Sequence, residues 1–269
     1  MLNEGFDISR EAILEEGIIR GYIIKLKDSS VEHVVNILNI LRKYRVNLVY
    51  IAASTGQLRD GYSLIIYGDF TLSEVEPCDL KKKLLEVENV VDVFEIEPII
   101  NNLLMDTYSS EIKWRTERAL VFREKVLKAI LKNALKKFGP AFLTFAYHVG
   151  YILGKSSYYE DVELVKSMGG RRKDLIKYAL VLFQSTGGGK AEIVSIDYSK
   201  STIVMKISSI FEYDIIKEVR GKEPYTYITR GTWAGWFSGL FDKEMVAEEI
   251  KCTIETDGKP VCYMVIKPK

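Results

Sequence analysis

The first hundred residues alternate between strand-like and helix-like patterns of apolar residues. Segments rich in β-branched and aromatic residues predict strands at 18–27, 47–54, 61–70 and 90–99. Apolar residues recur at helical spacing at 31–44 and 78–87, and Ser30 is a favoured N-cap residue before the first of these segments. The sequence therefore predicts the order β-α-β-β-α-β for residues 18–100, with the polar turn TGQLRDG between the two central strands.

The second half of the chain predicts longer helices. Residues 1–17 form an extension, and residues 101–118 show no clean period and predict a linker. The further predicted elements are a strand at 119–122, helices at 124–139, 140–155, 171–185 and 224–241, strands at 191–199 and 202–214, and a C-terminal hairpin across TDGKP. The helix at 140–155 is apolar almost all round and is expected to be buried. The predicted fold class is α+β, with a ferredoxin-like domain at 18–100 and a mixed α/β domain at 119–269.

Composition and charge exclude several classes of partner. The 269 residues include 38 basic and 37 acidic side chains, which give a net charge of +1. This balance creates no long-range attraction to nucleic acid or to an anionic membrane. No apolar run reaches the roughly 18 residues that span a bilayer, and the acidic N-terminus is unlike a signal peptide. We therefore expect a cytoplasmic protein with no direct nucleic-acid partner and no membrane span. Glutamine occurs only at Gln57 and Gln184, which favours a thermophilic source.

The glycine-rich segment TGGGKA at 186–191 invites comparison with a phosphate-binding loop. That motif needs a preceding strand and a hydroxyl residue after the lysine, whereas this segment follows a predicted helix and places Ala191 there. We interpret it as a turn between a helix and a strand. The sequence also lacks a GxGxxG motif after a strand, so no nucleotide cofactor is expected.

The order β-α-β-β-α-β resembles an ACT domain, in particular through the short basic helix that leads into a strand with Val90, Val91, Val93 and Phe94. The resemblance covers about residues 18–100 and implies a small regulatory module. ACT domains that bind amino acids usually carry a glycine between the first strand and the first helix, where the ligand approaches the backbone. The corresponding segment KDSSVEH has no glycine. This departure favours a role in pairing or relay over amino-acid sensing.

A second resemblance rests on the segments RGTWAGWFSGLF, AEEIKC and DGKPVC. Their shared residues are Gly231, Ala234, Gly235, Trp236, Glu249, Cys252, Gly258 and Cys262. This set resembles the C-terminal signature of the 4-vinyl reductase domain, a family of hydrocarbon-binding proteins shared with the sensor domains of phenol-responsive regulators. The resemblance extends from about residue 119 to the end of the chain. It implies a fold related to small subunits of vesicle-tethering complexes.

Glu249, Cys252 and Cys262 are candidate zinc ligands, because thiolates and carboxylates coordinate zinc and hairpin pairing can bring the two cysteines together. Glu249 and Cys252 point to opposite faces of a strand unless a twist or bulge re-aims one of them. In the phenol-sensing relatives the fourth ligand is a cysteine, and the resemblance places Thr226 at that position. Three outcomes remain open: a three-ligand zinc site, a disulfide, or two thiols that line a core.

The same resemblance implies an internal pocket for an aromatic or hydrocarbon ligand. The candidate ligand-binding residues are Trp233, Trp236, Phe237 and Tyr227 on one helix, and Phe211, Met205, Tyr147 and His148 on neighbouring elements. The alternative is that these aromatic residues form an ordinary core. His148 is either a polar group of the pocket or a hydrogen-bonded core histidine.

Three functions are compatible with these features. The first is a regulatory protein that binds a small hydrophobic or aromatic molecule in its second domain and uses its ACT-like domain to dimerise or to act on a partner protein. The second is an assembly scaffold in which the second domain mediates dimerisation. The third, an enzyme, is disfavoured because the sequence shows no hydride source and no general base beside the candidate zinc ligands.

Overall fold

A computed structural model describes residues 9–54, 62–114, 117–221, 224–254 and 260–269 of the protein. The predicted turn at 55–61 and most of the turn at 256–260 fall outside these residues, apart from Pro260, which is described. The chain divides into two units, the first ending at Leu120 and the second beginning at Val121. Within the described ranges, no helix is both long enough and apolar enough to cross a membrane.

The first unit is built around a four-stranded antiparallel sheet. Its elements are β1 (Glu11–Ile13), β2 (Ile19–Leu26), α1 (Val31–Lys43), β3 (Asn47–Ser54), β4 (Tyr62–Asp69), α2 (Pro77–Leu85), β5 (Val90–Ile96), β6 (Leu103–Met105), β7 (Ile112–Trp114) and β8 (Glu117–Ala119). The sheet has the order β3-β4-β2-β5. The short strands pair separately, β1 with β6 and β7 with β8.

The two central strands of the sheet, β2 and β4, are buried on both faces. On the face covered by α1 and α2, Ile24 and Leu64 are fully buried. On the opposite face, Ile19 and Tyr67 are buried together with Leu104 of β6. A strand buried on both faces keeps apolar side chains at successive positions, which explains the nearly continuous apolar run of β2.

The second unit combines five helices with a second four-stranded antiparallel sheet within the described residues. Its elements are α3 (Glu124–Phe138), α4 (Pro140–Ser167), α5 (Arg172–Ser185), β9 (Lys190–Asp197), β10 (Thr202–Ser208), α6 (Tyr213–Arg220), α7 (Ile228–Phe241), β11 (Met245–Ile254) and β12 (Pro260–Pro268). The sheet has the order β11-β12-β10-β9. Helix α7 packs against β11 and β12 on one side and along α4 on the other. The predicted α+β class is confirmed.

Helices α4 and α7 cross with their backbones in contact. Four glycines each face a backbone carbonyl of the other helix: Gly150 faces Ile228, Gly154 faces Thr232, Gly231 faces Tyr147 and Gly235 faces Tyr151. A Cβ atom at any of these positions would overlap that carbonyl oxygen. Because a backbone carbonyl in a helix cannot swing away as a flexible side chain can, this crossing requires glycine at all four positions.

Several predicted boundaries were wrong. The predicted strand at 202–214 ends at Ser208, and α6 begins at Tyr213. Ser209 adopts a left-handed conformation with φ of 55°, which a continuing strand cannot accommodate. The predicted strand at 119–122 includes only Ala119 of β8, and α7 begins at Ile228 instead of residue 224.

The prediction of a buried helix at 140–155 was only partly correct. Helix α4 continues to Ser167, and its α7 side is buried at Leu143 and Ala146. On the other side Phe145, Ile152 and Leu153 are exposed at 62%, 64% and 54%. The helix therefore carries an exposed apolar surface as well as a buried one.

Candidate functional site

The chain that enters α7 is anchored by a carboxylate from the sheet. Glu249 on β11 accepts hydrogen bonds from the backbone amides of Tyr225 at 3.0 Å and Thr226 at 2.9 Å, and from the Thr226 hydroxyl. These bonds satisfy donors just before the helix begins and place negative charge at the positive end of its dipole. Glu249 therefore already has hydrogen-bond partners without any ligand.

A second carboxylate, Glu212, holds the first turn of the same helix. It accepts hydrogen bonds from the amides of Ile228 at 2.9 Å and Thr229 at 2.7 Å, and it is only 1% exposed. Burial raises the pKa of Glu212, and the hydrogen bonds from these amides oppose part of that rise. Both carboxylates converge on one helix end from elements that are distant in sequence.

Cys252 and Cys262 form a disulfide between β11 and β12. The two residues lie directly opposite each other in the antiparallel register, with their Cα atoms 4.0 Å apart. The register shifts between Glu249 and Lys251, which marks an irregularity of the bulge type in β11. This shift accounts for how Glu249 and Cys252 come to lie on the same side although they are three residues apart on one strand.

The predicted grouping of Glu249, Cys252 and Cys262 is confirmed, since one potential ligand atom of each lies within 4.8 Å of the others. The arrangement does not fit a zinc ion, however. The two sulfur atoms are bonded to each other, whereas zinc binds thiolates. The Thr226 hydroxyl, which is not a thiolate, donates its hydrogen bond to Glu249. The open three-ligand site is therefore wrong for this oxidised form, and the disulfide is the outcome that the structure shows.

An aromatic cluster fills the centre of the second unit. Trp233, Trp236, Phe237 and Met205 are each 3% exposed or less and belong to one core. Trp236 packs edge-on against Phe237, with ring centroids 5.1 Å apart. The indole N–H of Trp236 donates to the buried carboxylate of Asp161 at 3.0 Å. The indole N–H of Trp233 is buried with no hydrogen-bond partner among the described residues.

The other four candidate ligand-binding residues are dispersed. Tyr227 is buried in a separate small cluster at the start of α7, and Phe211 is half-buried between β10 and α6. Tyr147 packs against the main core and accepts a hydrogen bond from the Ala247 amide at 3.1 Å. His148 is exposed, so the prediction that it is a buried polar group was wrong.

A cavity of about 280 Å³ opens between α4, α5 and α7. Its apolar lining consists of Tyr158, Val162, Val165, Leu175 and Leu240. The Tyr158 ring packs edge-on against Trp236, with centroids 5.5 Å apart, so the cavity lies next to the aromatic cluster. The eight residues proposed from the sequence do not line this cavity.

The remaining lining residues are Gly170 and the cations Lys166, Arg171 and Arg172. The guanidinium of Arg172 lies over the rings of Tyr198 and Phe241, 5.0 Å from each centroid. Burial raises the pKa of Tyr158, and the charge of Arg172 opposes part of that rise. The Tyr158 hydroxyl therefore stays protonated at neutral pH.

Sequence reasoning missed this cavity because it ended the second helix at residue 155. The apolar positions Tyr158, Val162 and Val165 continue the helical spacing past that point, and this signal could have extended the helix. Closure of the cavity by Leu240 depends on how α4 and α7 cross, which no local pattern records.

Comparison with protein-family profiles and with curated proteins finds no match. Among solved structures, the phenol-responsive sensory domain of the transcription activator PoxR with phenol is 21% identical, with 58% of this chain and 79% of that chain covered and a TM-score of 0.46. The ACT domain of a GTP pyrophosphokinase of Chlorobium tepidum is 18% identical, with coverages of 30% and 100% and a TM-score of 0.25.

A trafficking protein particle complex subunit 3 from Naegleria fowleri, covalently bound to palmitic acid, is also similar. It is 16% identical, with 54% of this chain and 95% of that chain covered and a TM-score of 0.38. All three TM-scores lie below 0.5 and all three identities below 25%, so neither fold family nor ligand is assigned from them.

Proposed function

We propose that the second unit binds a small, largely apolar molecule and that the protein acts as a ligand-sensing regulator. In this proposal the first unit is a ferredoxin-like, ACT-like domain that mediates dimerisation or acts on a partner protein. The observation that carries the proposal is the cavity of about 280 Å³ beside the aromatic cluster. Binding sites for small molecules are typically concave and mostly apolar, with a few polar groups that fix orientation.

The aromatic cluster serves as the inner wall of the binding region in this proposal. Tyr158 separates the cavity from Trp236, and Trp233 and Phe237 pack behind it. A ligand that displaces the Tyr158 ring extends the cavity towards these residues. The buried Trp233 N–H, which has no partner among the described residues, then supplies a hydrogen-bond donor for a hydroxyl group of the ligand.

Calorimetric titration with neutral aromatic molecules such as phenol, p-cresol and indole tests the proposal. We expect Val162→Phe to abolish binding, because the larger ring fills the cavity that Val162 lines. The neighbouring Glu163→Phe variant is the matched control, since Glu163 is exposed and does not line the cavity. Binding that is the same in both variants, or no binding by any neutral or acidic aromatic molecule of this size, would contradict the proposal.

The exposed apolar surface of α4 favours a second candidate function, an assembly scaffold. Phe145, Ile152 and Leu153 are large apolar residues that are each more than half exposed, and exposed apolar patches often mark protein–protein contacts. In this proposal two copies of the chain pair through these residues. Light scattering after size-exclusion chromatography tests it: Ile152→Glu should give a monomer where the parent protein is a dimer, and a monomeric parent would contradict it.

A further inference from the structure

The cavity between α4, α5 and α7 has two chemically different parts. Its walls are apolar, formed by side chains that include Val162, Val165 and Leu175. Three cations, Lys166, Arg171 and Arg172, line the same cavity, and these side chains are exposed. Three positive charges do not contribute to the binding of a purely apolar molecule. Their presence favours a ligand that also carries a negatively charged group.

The charge of the lining is one-sided. None of the nine described residues that line the cavity is acidic. Arg171 is partly balanced by Asp174, whose carboxylate lies 3.9 Å from the Arg171 Nε atom and accepts a hydrogen bond from the Arg171 amide. Lys166 and Arg172 form no ion pair among the described residues. The lining itself therefore presents net positive charge to an anionic group, although the nearby charge of Asp242 also acts on Tyr158.

Arg172 makes three contacts that orient its side chain. Its guanidinium lies over Tyr198 and Phe241 and donates one hydrogen bond to the carbonyl of Leu240 at 3.2 Å. A guanidinium carries five N–H donors in a planar fork that matches a carboxylate, so most of its donors are left for a ligand. Arg172 is also the first residue of α5, whose dipole adds positive potential at this end of the cavity.

We propose that the cavity binds an amphipathic monocarboxylate, with an aromatic ring or short alkyl chain against Val162, Val165 and Leu175 and the carboxylate between Lys166 and Arg172. This inference rests on the proposed function, because it names the class of ligand for the same binding site. A cavity of about 280 Å³ lies near the small end of ligand-site volumes, which favours one ring or a short chain over a long-chain lipid.

Calorimetry with isosteric pairs tests the charge requirement. The probes are 3-phenylpropionate with 3-phenylpropionamide, and octanoate with octanamide. Each carboxylate should bind about tenfold or more tightly than its amide, because hydrogen bonds to charged groups are stronger than neutral ones. Added salt should weaken the binding of the carboxylates and leave that of the amides nearly unchanged.

Two substitutions and one control test whether the preference for the carboxylate arises in this cavity. Lys166→Gln should reduce the preference for the carboxylate at least threefold while leaving amide binding unchanged. Lys177→Gln is the matched control, because Lys177 is exposed on α5 and does not line the cavity. Val162→Phe should abolish binding of all four probes.

The outcomes separate this inference from the proposed function. Equal affinity for acid and amide, lost in Val162→Phe, would overturn the carboxylate inference and leave the apolar binding site standing. A preference for the acid that Lys166→Gln leaves undiminished would overturn the placement of the carboxylate at Lys166 in this cavity. No binding by any probe, together with none by the neutral aromatics, would overturn both.

Discussion

Thr226 donates hydrogen bonds to Glu249 through both its backbone amide and its hydroxyl. Thr226 lies two residues before α7, and Glu249 lies on β11 beside the Cys252–Cys262 disulfide. The Thr226 side chain contributes a hydroxyl that is hydrogen-bonded to the Glu249 carboxylate, and this hydroxyl does not replace a thiolate ligand. The three residues that could hold a metal ion are therefore held here by a disulfide and by hydrogen bonds from Thr226.

Replacement of the Thr226 hydroxyl by a thiol should convert this group of residues into a metal site. We expect Thr226→Cys, after reduction with a phosphine, to bind one zinc ion per chain, because it supplies three thiolates and a carboxylate. Thr226→Ser is the control and should bind zinc no better than the parent protein. Native mass spectrometry measures the added mass. Zinc bound to the parent protein with its disulfide intact would contradict this account.

Reduction of the disulfide should lower stability. Cys252 and Cys262 are separated by 10 residues, and a loop of this size corresponds to about 2 to 3 kcal/mol in the free energy of unfolding. Urea unfolding with and without the reductant measures the change. A variant with both cysteines replaced by alanine should show no response to the reductant, and an equal response would assign the effect to something other than this bond.

The contact between α4 and α7 should be intolerant of a single methyl group. Gly235→Ala is expected to cost about 3 kcal/mol or more in the free energy of unfolding, because the new Cβ overlaps the Tyr151 carbonyl. Gly188→Ala is the matched control, since the three atoms nearest its Cβ belong to the side chain of Phe183 and none of them to a backbone. Equal losses in the two variants would show that backbone contact is not the cause.

Loss of the indole N–H should destabilise the protein more at Trp236 than at Trp233. Trp236→Phe removes a donor to the buried Asp161, whereas Trp233→Phe removes an N–H that has no partner in the described part of the chain. We expect the first to be more destabilising by about 1 to 3 kcal/mol, since a buried carboxylate loses a hydrogen bond. Chemical unfolding of the two variants measures the difference, and a larger loss for Trp233→Phe would contradict it.

Glu212 should make stability depend on pH. Its folded pKa is raised above the ordinary value of 4.5 by burial, so its contribution is greatest below about pH 4.5 and is lost as pH rises through the folded pKa. The stability difference between the parent protein and Glu212→Gln should therefore shrink from pH 4.5 upwards. Thermal unfolding across that range measures it. A difference that grows with pH would show that the helix amides outweigh burial.

Local patterns predicted much of the secondary structure. The apolar spacing of Val126, Leu127 and Leu131 placed α3 within one residue of its observed end at Phe138, because amphipathic spacing and a following glycine are local signals. The strand and helix order of residues 18–100 was predicted in the same way. The end of β10 was missed because Ser209 adopts a left-handed conformation, which a serine in the sequence does not predict.

The candidate site was also predicted only in its local features. The closeness of Cys252 and Cys262 could be predicted from hairpin pairing, and the shift that brings Glu249 to the same side was recognised as a requirement. The hydrogen bonds from Thr226 and the cavity beside Tyr158 could not be predicted. The hydrogen bonds depend on how the segment before α7 lies against β11, and the cavity depends on the packing of helices that are distant in sequence. Side-chain spacing within one helix carries no information about either.

The four facing glycines also suggest a way to find relatives of this chain. Two GxxxG pairs, at Gly150 and Gly154 and at Gly231 and Gly235, are fixed by backbone geometry, whereas the apolar residues around them can exchange volume with one another. A search pattern that weights this double spacing, with an acidic residue and a hairpin after the second pair, should recognise the fold in sequences whose overall identity has fallen too low to align.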